Sequence, residues 1–519
     1  MRSLRFTIAK NAIANLIRGG ASAVVALVLP HFLTHSLGPD RFAGWALMLQ
    51  LAAYANYLDF GVQTAVARYL AGALEKGDHQ QRDRLFSNAF AILAVAGMIA
   101  LCGLGIIAWQ LPHLFRSVPA GLAGEIGSGV LILGVVAAMN LPLSVYTGVL
   151  VGMQRNEFPA IAIATSRLLG AVAVLLVVRW THSLAWLAFC IGGFNLVAGL
   201  VQCVIVKKLL PALRFKFAFL DRATTAELIR YCSTLSVWSF GMLLVSGLDV
   251  TIVGMFDFKA VGAYSIAATL IMFFTGLNAA AFSAMLAPVA VLQARQEFDS
   301  ISRLVIVTTR LNSYFSMGVI VLAFLFGDSL IRAWVGSAYL ALTLPVLKIL
   351  LIAQAVRLVG NGYGVVLVGM GLQRYGLAPA LIEGLSNLAL SLVAIIVIGP
   401  IGVACATLVS AVIAVVVVVF AVLPKIRYLS IDARSFLWQG VGIPLRPYLP
   451  VFIILFGRAW LERRVHLSYT ERYLPLFLSF IFAGWWIWDG VRRTLQEVRS
   501  TATAPKVALD NMGAKSPTV

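Results

Sequence analysis

Long uninterrupted runs of apolar residues constrain this chain more than any other feature of its sequence. A helix needs about 20 mostly apolar residues to cross the hydrocarbon core of a membrane, and runs of about that length recur about fourteen times. Hydrophobic residues make up 61% of the chain and charged residues only 12%, which leaves too little polar surface for a water-soluble protein. The sequence therefore predicts an all-α, polytopic membrane protein with about 14 transmembrane helices.

The predicted spans follow these apolar runs along the chain. They cover residues 10–36, 42–73, 85–111, 126–153, 158–179, 183–206, 231–256, 261–292, 304–327, 339–370, 376–398, 401–423, 445–461 and 472–491. The first span lacks a small-residue cleavage site, so we expect it to remain as a structural helix rather than act as a signal peptide.

The basic residues behind the net charge of +19 are distributed unevenly along the chain. With the amino terminus in the cytoplasm, 25 of the 40 Lys and Arg residues fall in cytoplasmic segments and 9 in outer segments. This bias follows the positive-inside rule, with a basic connection at 458–472 as the exception. It predicts an inner (plasma) membrane protein with both termini in the cytoplasm, and it argues against nucleic acid as a partner.

Landmarks in the first half of the chain recur about 218 residues later. Tyr146 precedes Leu150-Val151-Gly152-Met153, and Tyr363 precedes Leu367-Val368-Gly369-Met370. The repeat covers six spans, so we expect two lobes of the same orientation, with the substrate path between them. The predicted domains are an amino-terminal six-helix lobe (1–208), a cytoplasmic linker (209–230), a carboxyl-terminal six-helix lobe (231–424), a basic connection with two extra transmembrane helices (425–491) and a disordered cytoplasmic tail (492–519).

Charged residues inside the spans are the candidate functional groups, because charge at mid-membrane is costly and normally faces a wet cavity or a partner. Arginine offers a two-pronged donor that fits phosphate oxygens, so an excess of arginine predicts an anionic, diphosphate-bearing substrate. The candidate substrate-binding residues are Arg18, Arg310, Arg357, Asn140, Asn361 and Arg167. The candidate ion-coupling or gating residues are Asp59, Asp249, Glu383 and Arg68. Snorkelling or a buried salt bridge is the alternative explanation for each charge.

Polar side chains also recur at helical spacing within single spans. Over residues 42–73, one predicted face carries Gln50, Tyr54, Tyr57, Gly61, Thr64 and Arg68. Such stripes indicate either hydrogen bonds between helices or the lining of a hydrated cavity.

No residue pattern indicates covalent chemistry. The five cysteines and six histidines show no metal-ligand or redox spacing, and there is no glycine-rich phosphate loop. We therefore predict no enzyme activity, no catalytic residue, no metal and no cofactor.

Several short runs resemble one known family. They are Leu37-Gly38, Gly44-Trp45, Leu58-Asp59-Phe60-Gly61, Arg68-Tyr69, and in the second half Asp249, Gly254, Gly262, Tyr264 and Ala267. The chain resembles, over about residues 5–425, the bacterial polysaccharide and O-antigen flippases of the multidrug/oligosaccharidyl-lipid/polysaccharide exporter superfamily. The resemblance implies a MATE-like fold and rocker-switch flipping of an isoprenoid-diphosphate-linked oligosaccharide to the outer leaflet, driven by a proton or sodium gradient. It further implies membrane lipids, and the polymerase and export proteins of a polysaccharide pathway, as partners.

Other functions remain compatible with the sequence. A drug or cation antiporter of the same superfamily would favour acidic rather than basic residues in its cavity. The sequence hardly distinguishes a peptidoglycan-precursor flippase from a flippase of lipid-linked oligosaccharides. From other classes, a polysaccharide polymerase or ligase would require a large outer loop for its catalytic residues, and a non-transporting scaffold would not need the polar stripes.

Overall fold

A computed structural model describes residues 2–282, 289, 292, 293, 295–370, 372, 374–426, 429, 431–461, 479 and 483–497. Within these residues, all regular secondary structure is helical. Ten of the described helices are long and apolar enough to cross a membrane, or eleven if one bent pair counts as a single span. The fold is therefore an all-α, multi-pass membrane fold, as the apolar runs predicted.

The first half of the chain forms seven long helices. They are α1 (Arg2–Leu37), α2 (Pro39–Ala53), α3 (Val62–Glu75), α4 (His79–Leu114), α5 (Ala120–Gly152), α6 (Glu157–Val177) and α7 (Leu184–Leu209). The second half continues with α8 (Arg222–Met242), α9 (Asp249–Phe256), α10 (Phe258–Phe282), α11 (Phe298–Val335), α12 (Leu340–Val359), α13 (Asn361–Gly369), α14 (Arg374–Val397) and α15 (Pro400–Val416). Two short helices, α16 (Ala433–Leu437) and α17 (Ile443–Leu445), precede α18 (Leu449–Leu461), and residues 483–497 are again helical.

Three predicted spans are broken rather than continuous. The prediction of one helix over 42–73 is wrong, because a 3₁₀ turn (Tyr54–Asp59) separates α2 from α3. At that break Phe60 and Gly61 have φ values of 52° and 75°, in the left-handed region that a continuing α-helix cannot use. The span over 231–256 bends between α8 and α9, and the span over 339–370 divides into α12 and α13. Helical periodicity of apolar residues does not register such breaks.

Packing divides the chain into two compact units. Unit 1 comprises Met1–Leu277, Asp328–Leu350 and Ala380–Ser410, and unit 2 comprises Asn278–Gly327, Leu351–Pro379 and Ala411–Val519. This division differs from the two lobes of the sequence repeat, which stay a prediction. The predicted span at 472–491 and the tail beyond 497 lie largely outside the described residues.

Glycines allow close helix packing in unit 1. A Cβ atom on Gly148 would lie 2.8 Å from the Gln63 carbonyl oxygen, and one on Gly152 would lie 2.8 Å from the Ala67 carbonyl oxygen. The two glycines are four residues apart on α5, so they form the small-residue face by which membrane helices approach each other. This contact fixes α3 against α5 just beyond the break at Phe60 and Gly61.

The predicted linker at 209–230 is an ordered strap over α4. The side chain of Asn88, which is 1% exposed, donates to the Phe219 carbonyl oxygen at 2.9 Å and accepts from the Asp221 N–H at 3.0 Å and the Thr225 hydroxyl at 2.7 Å. Asp221 in turn caps the amino terminus of α8. One buried amide therefore holds both the strap and the start of α8.

Unit 2 is built around α11. One apolar cluster joins α11, α13 and the segment 419–436, including Val305, Tyr363 and Phe436. A second cluster joins α11 to α18 and the carboxyl-terminal helix, including Tyr314, Val321 and Tyr448. The Tyr448 hydroxyl donates to the Tyr314 carbonyl oxygen at 2.8 Å, so the short segment before α18 is anchored to α11.

Candidate functional site

The bend between α8 and α9 leaves backbone carbonyl groups for side chains to bind. The two parts of this span meet at 42°, across a π-helical turn at Leu243–Gly247. The Asn387 amide of α14 donates to the Leu244 and Val245 carbonyl oxygens at 3.3 and 2.9 Å. Inserted turns of this kind are common at functional sites in helices, because they interrupt the regular hydrogen-bond ladder.

A second pair of side chains binds the same turn from the first half of the chain. Gln50 on α2 donates to the Gly247 carbonyl oxygen at 2.6 Å. Tyr54, at the end of α2, donates to that oxygen at 2.9 Å and also contacts the Thr251 hydroxyl. Two members of the polar stripe predicted on 42–73 are therefore ligands of the bent span within unit 1.

The carboxylate of Asp249 lies at this bend and is 6% exposed. Its Oδ1 accepts from the Asn387 amide at 3.2 Å. Its Oδ2 accepts from the Thr407 hydroxyl at 3.1 Å and from the Tyr264 hydroxyl at 3.4 Å. Thr407 can instead donate to the Val403 carbonyl oxygen, which lies 3.0 Å away. Because a hydroxyl has one proton, Thr407 can release the carboxylate without losing its own hydrogen bond.

These groups together form a buried polar cluster around one carboxylate, which we call the Asp249 cluster. It consists of the Asp249 carboxylate, the Thr407 and Tyr264 hydroxyls and the Asn387 amide, beside the carbonyl groups of the bent turn. Unwound backbone and a carboxylate are the groups that hold a proton or a small cation in membrane transporters. Glu383 lies one helical turn before Asn387 on α14 and is 7% exposed, so a second acid lies close along the same helix.

Two predicted substrate-binding arginines lie together in unit 1. The Arg167 guanidinium of α6 donates to the Ser22 hydroxyl of α1, and that hydroxyl donates to the Arg18 carbonyl oxygen at 2.8 Å. Ser22 lies one helical turn after Arg18, so the Arg167 side chain reaches α1 beside Arg18. In the part of the chain that the structure describes, neither forms a salt bridge. We call these two residues the arginine pair.

The structure gives Arg310, the third predicted arginine, a set of ligands within unit 2. Its Nε donates to the Gln439 carbonyl oxygen at 3.0 Å, and one terminal nitrogen lies 3.0 and 3.2 Å from the two carboxylate oxygens of Glu497. The Arg310 side chain is only 12% exposed. Its guanidinium is therefore engaged by the carboxyl-terminal helix in this state.

The other predicted substrate residues have less specific surroundings. In unit 2, Arg357 donates to the Gln354 side chain at 3.0 Å, one turn earlier on α12. In unit 1, the amide oxygen of Asn140 lies against Gly199 of α7, which has no side chain to separate the two helices. The side chain of Asn361 lies outside the described residues.

The predicted gating residues near the α2–α3 break have separate neighbours. The Arg68 guanidinium lies 5.3 Å from the ring centroid of Tyr231, a cation–π distance. One carboxylate oxygen of Asp59 is buried without a hydrogen bond from a described group, while backbone N–H groups of Gly61 and Gln63 interact with the carboxylate. Neither residue belongs to the Asp249 cluster.

Sequence reasoning missed several members of these sites. Thr407 and Tyr264 were not predicted as ligands of Asp249, and Glu497 was placed in a disordered tail. The pairing of Ser and Thr at Thr407 and Ser410, where the Ser410 hydroxyl donates to the Thr407 carbonyl oxygen at 3.0 Å, was an available signal for a polar face on α15. For Glu497 the sequence carries no comparable signal.

Comparisons with known proteins agree with this fold and with the resemblance in the sequence. A family model described as "Polysaccharide biosynthesis protein" matches residues 8–291. The membrane protein EpsK of Bacillus subtilis (strain 168), which is uncharacterized, is 22% identical over 253 residues, which is 48% of each chain. The chain thus spans about half the length of this curated relative.

Solved structures are similar in fold. The lipid II flippase MurJ, in an inward closed conformation, gives a TM-score of 0.69 at 13% identity and covers 94% of this chain and 99% of its own. An inward-facing multidrug resistance MATE family transporter of the MOP superfamily gives a TM-score of 0.62 at 13% identity, covering 78% of this chain and 96% of its own. Because the family model matches more than half of the residues, the chain belongs to the family of polysaccharide biosynthesis proteins.

Proposed function

We propose that the chain is a flippase that moves an isoprenoid-diphosphate-linked oligosaccharide from the cytoplasmic to the outer leaflet. The family supports a role in polysaccharide biosynthesis. The observation that carries the substrate class is the arginine pair of Arg18 and Arg167, two neighbouring guanidinium groups that form no described salt bridge.

Two like charges held close together in a membrane helix pair are costly unless an anion binds between them. A diphosphate presents several oxygens in the geometry that guanidinium groups bind bidentately. A cationic drug would be repelled by the same pair. The arginine pair therefore favours a lipid diphosphate over the cargo of a cation antiporter.

Three further proposed substrate ligands lie in unit 2. Arg357 and Asn361 lie on α12 and α13, and Arg310 lies on α11. Glu497 occupies one terminal nitrogen of the Arg310 guanidinium, so phosphate binding through that nitrogen would require the Glu497 carboxylate to leave. We propose that Arg310 exchanges Glu497 for substrate during transport, and that Asn140 in unit 1 adds a neutral hydrogen bond.

The Asp249 cluster is the proposed coupling site. Binding of a proton or sodium ion to the Asp249 carboxylate would neutralise it and weaken its bonds to Asn387 and Thr407. Since those bonds join α14 and α15 to the bend in α8–α9, the ion would change how tightly the bend is held. Glu383 is the proposed second acid of this site, and Asp59 and Arg68 are the proposed gating residues near the other break.

We also propose the finer topology that the sequence predicts. It has fourteen spans in two six-helix lobes with two extra carboxyl-terminal helices, and both termini lie in the cytoplasm. The broken pair α2–α3 counts as one span in this scheme. The proposed partners are the lipid-linked oligosaccharide, membrane lipids, and the polymerase and export proteins of a polysaccharide pathway.

The test is deletion of the gene in its host, followed by measurement of surface polysaccharide and of the leaflet in which lipid-linked glycan accumulates. Complementation would use the wild type, Arg18→Gln, Arg167→Gln and the control Arg116→Gln. Arg116 is an exposed arginine between α4 and α5. Protein amounts in the membrane are measured in parallel.

We expect inner-leaflet accumulation in the deletion strain, rescued by the wild type and by Arg116→Gln but not by the other two variants. Rescue by all variants at equal protein levels would contradict the role of the arginine pair. Normal surface polysaccharide and normal lipid-linked glycan in the deletion strain would contradict the flippase itself.

A further inference from the structure

A polar cleft of about 650 Å³ lies in unit 1, and its lining includes no residue of the arginine pair or of the Asp249 cluster. It is lined by the junction between α1 and α2 and by the turn between α6 and α7. The lining residues that bear on binding are Arg41, Glu125, Trp180, Thr181, His182 and Ser183. On the proposed topology, both connections lie on the outer side of the membrane. The volume is within the range of small-molecule binding sites.

A salt bridge forms the floor of the cleft. The Arg41 guanidinium donates to one Glu125 carboxylate oxygen at 2.9 Å and to the His182 carbonyl oxygen at 2.6 Å. The other Glu125 oxygen accepts from the Leu184 N–H at 3.4 Å. The side chains of Arg41 and Glu125 are 38% and 30% exposed, so their unused N–H groups and lone pairs remain open to a ligand. Because the two charges cancel, the floor does not select an anion.

Trp180 lies at the border of the same cleft and is 87% exposed. It lies in a short polar turn with Thr181, His182 and Ser183 rather than on the apolar body of a helix. Trp186, by contrast, is 59% exposed on α7 and stacks edge-to-face with Phe189 at 6.2 Å, as expected of an indole in the aromatic belt of a membrane protein. An indole this exposed, beside a neutral but hydrogen-bonding floor, is arranged for a ligand with one apolar face.

We propose that this cleft is a glycan-binding subsite. A sugar ring has a face of C–H groups, which carry partial positive charge and pack on the electron-rich indole face. Its hydroxyl groups can accept hydrogen bonds from Arg41 and donate hydrogen bonds to Glu125. A diphosphate lacks the apolar face, and the neutral salt bridge gives it no net electrostatic attraction. The role of the cleft, which is to hold the glycan of the lipid-linked substrate at the outer side, rests on the proposed function. The binding of a glycan does not.

Binding can be tested without transport. The probe is the oligosaccharide released by mild acid from the host's own surface polysaccharide, added to purified full-length protein in lipid nanodiscs and followed by saturation-transfer NMR and titration calorimetry. Inorganic diphosphate is the comparison probe. The variants are Trp180→Ala, Trp180→Phe, which keeps an aromatic face, and the matched control Trp186→Ala.

We expect the oligosaccharide to bind with saturation transfer to its ring C–H protons, and Trp180→Ala to weaken binding by about tenfold, from the loss of an aromatic contact and its buried area. Trp180→Phe should recover part of the affinity, and Trp186→Ala should change it by less than about twofold. Wild-type protein that binds no oligosaccharide, or Trp180→Ala that binds as tightly as wild type, would overturn the proposal. A loss of membrane insertion shared by Trp180→Ala and Trp186→Ala, with unchanged binding, would identify Trp180 as a belt residue instead.

The two proposals fail separately. If Arg18→Gln abolishes flipping while Trp180→Ala binds glycan normally, the flippase stands and the subsite falls. If glycan binding depends on Trp180 while gene deletion leaves lipid-linked glycan undisturbed, the subsite stands and the flippase falls.

Discussion

Replacing Asp249 by Asn removes the charge at the α8–α9 bend while keeping the size and shape of the side chain. The new amide has one oxygen and one NH₂ group, so its orientation is fixed by its neighbours. Its oxygen must face the Asn387 amide, 3.2 Å away, because two NH₂ groups cannot bond each other. Its NH₂ then faces the hydroxyls of Thr407 and Tyr264, and Thr407 can turn its proton to the Val403 carbonyl oxygen.

The effect on stability follows from two opposing changes. Bonds to a charged acceptor contribute about 1.5–3 kcal/mol and neutral ones about 0.5–1.5 kcal/mol, so three bonds weaken by about 3 kcal/mol in total. Removing the buried charge also removes its desolvation penalty of several kcal/mol, which stabilises the folded variant. We therefore expect Asp249→Asn to alter the free energy of unfolding by less than about 2 kcal/mol while abolishing ion coupling.

The assay compares thermal denaturation of purified protein with flipping in vesicles under an imposed proton or sodium gradient. Asp328→Asn is the matched control, since Asp328 is 48% exposed and pairs with Arg332 one turn away on α11. Gradient-driven flipping should be lost in Asp249→Asn and kept in Asp328→Asn, with both variants folded. Asp249→Asn that responds to the gradient as wild type does would refute the coupling role.

Three other contacts also give measurable expectations. Asn88→Leu leaves the Phe219 carbonyl and the Asp221 N–H without their side-chain partner, so we expect destabilisation by about 3 kcal/mol, read by thermal denaturation; an unchanged midpoint would contradict it. The N–H and hydroxyl of Thr224 donate to the Asp221 carboxylate and hold its pKa below its usual range. The stabilisation of the folded protein by these hydrogen bonds is therefore present above the unfolded-state pKa and is lost as the pH falls through the folded-state pKa. The midpoint difference between wild type and Asp221→Asn should therefore shrink from pH 6 toward pH 3, and a constant difference would be contrary evidence. The salt bridge between Arg310 and Glu497 is partly exposed, because the Glu497 side chain is 51% exposed. A double-mutant cycle of Arg310→Gln and Glu497→Gln should therefore give a coupling of about 1 kcal/mol in thermal stability. Strictly additive effects would argue that Glu497 does not hold Arg310.

The membrane class and the family could be predicted from sequence because both depend on local patterns. Apolar runs of spanning length persist whatever their tertiary partners, and the runs around Gly44 and Asp59 carried the family resemblance. The same reasoning grouped acidic and basic residues by depth along each span. It therefore selected Asp249 and the arginine pair without knowing their neighbours.

The neighbours themselves could not be predicted. Two of the ligands of Asp249, Asn387 and Thr407, are 138 and 158 residues away in the chain. Polar neighbours indicate a polar helix face at each residue but do not indicate which group it contacts. The π-helical turn at Leu243–Gly247 is likewise not indicated by helical periodicity, because Leu243, Leu244 and Val245 continue the apolar run of the span. Arg310 shows the converse case, because the sequence selected this residue without indicating its partner: Glu497 lies in a segment predicted to be disordered from its polarity.

The most direct test of the central claim is flipping by purified protein. The protein is reconstituted into liposomes with isoprenoid-diphosphate-linked oligosaccharide extracted from the host, and a membrane-impermeant glycosidase reports how much glycan reaches the outer leaflet. We predict that wild type exposes the whole pool, while Arg18→Gln and Arg167→Gln expose only the glycan that faced outward at the start. Equal exposure by wild type and protein-free liposomes would contradict the account.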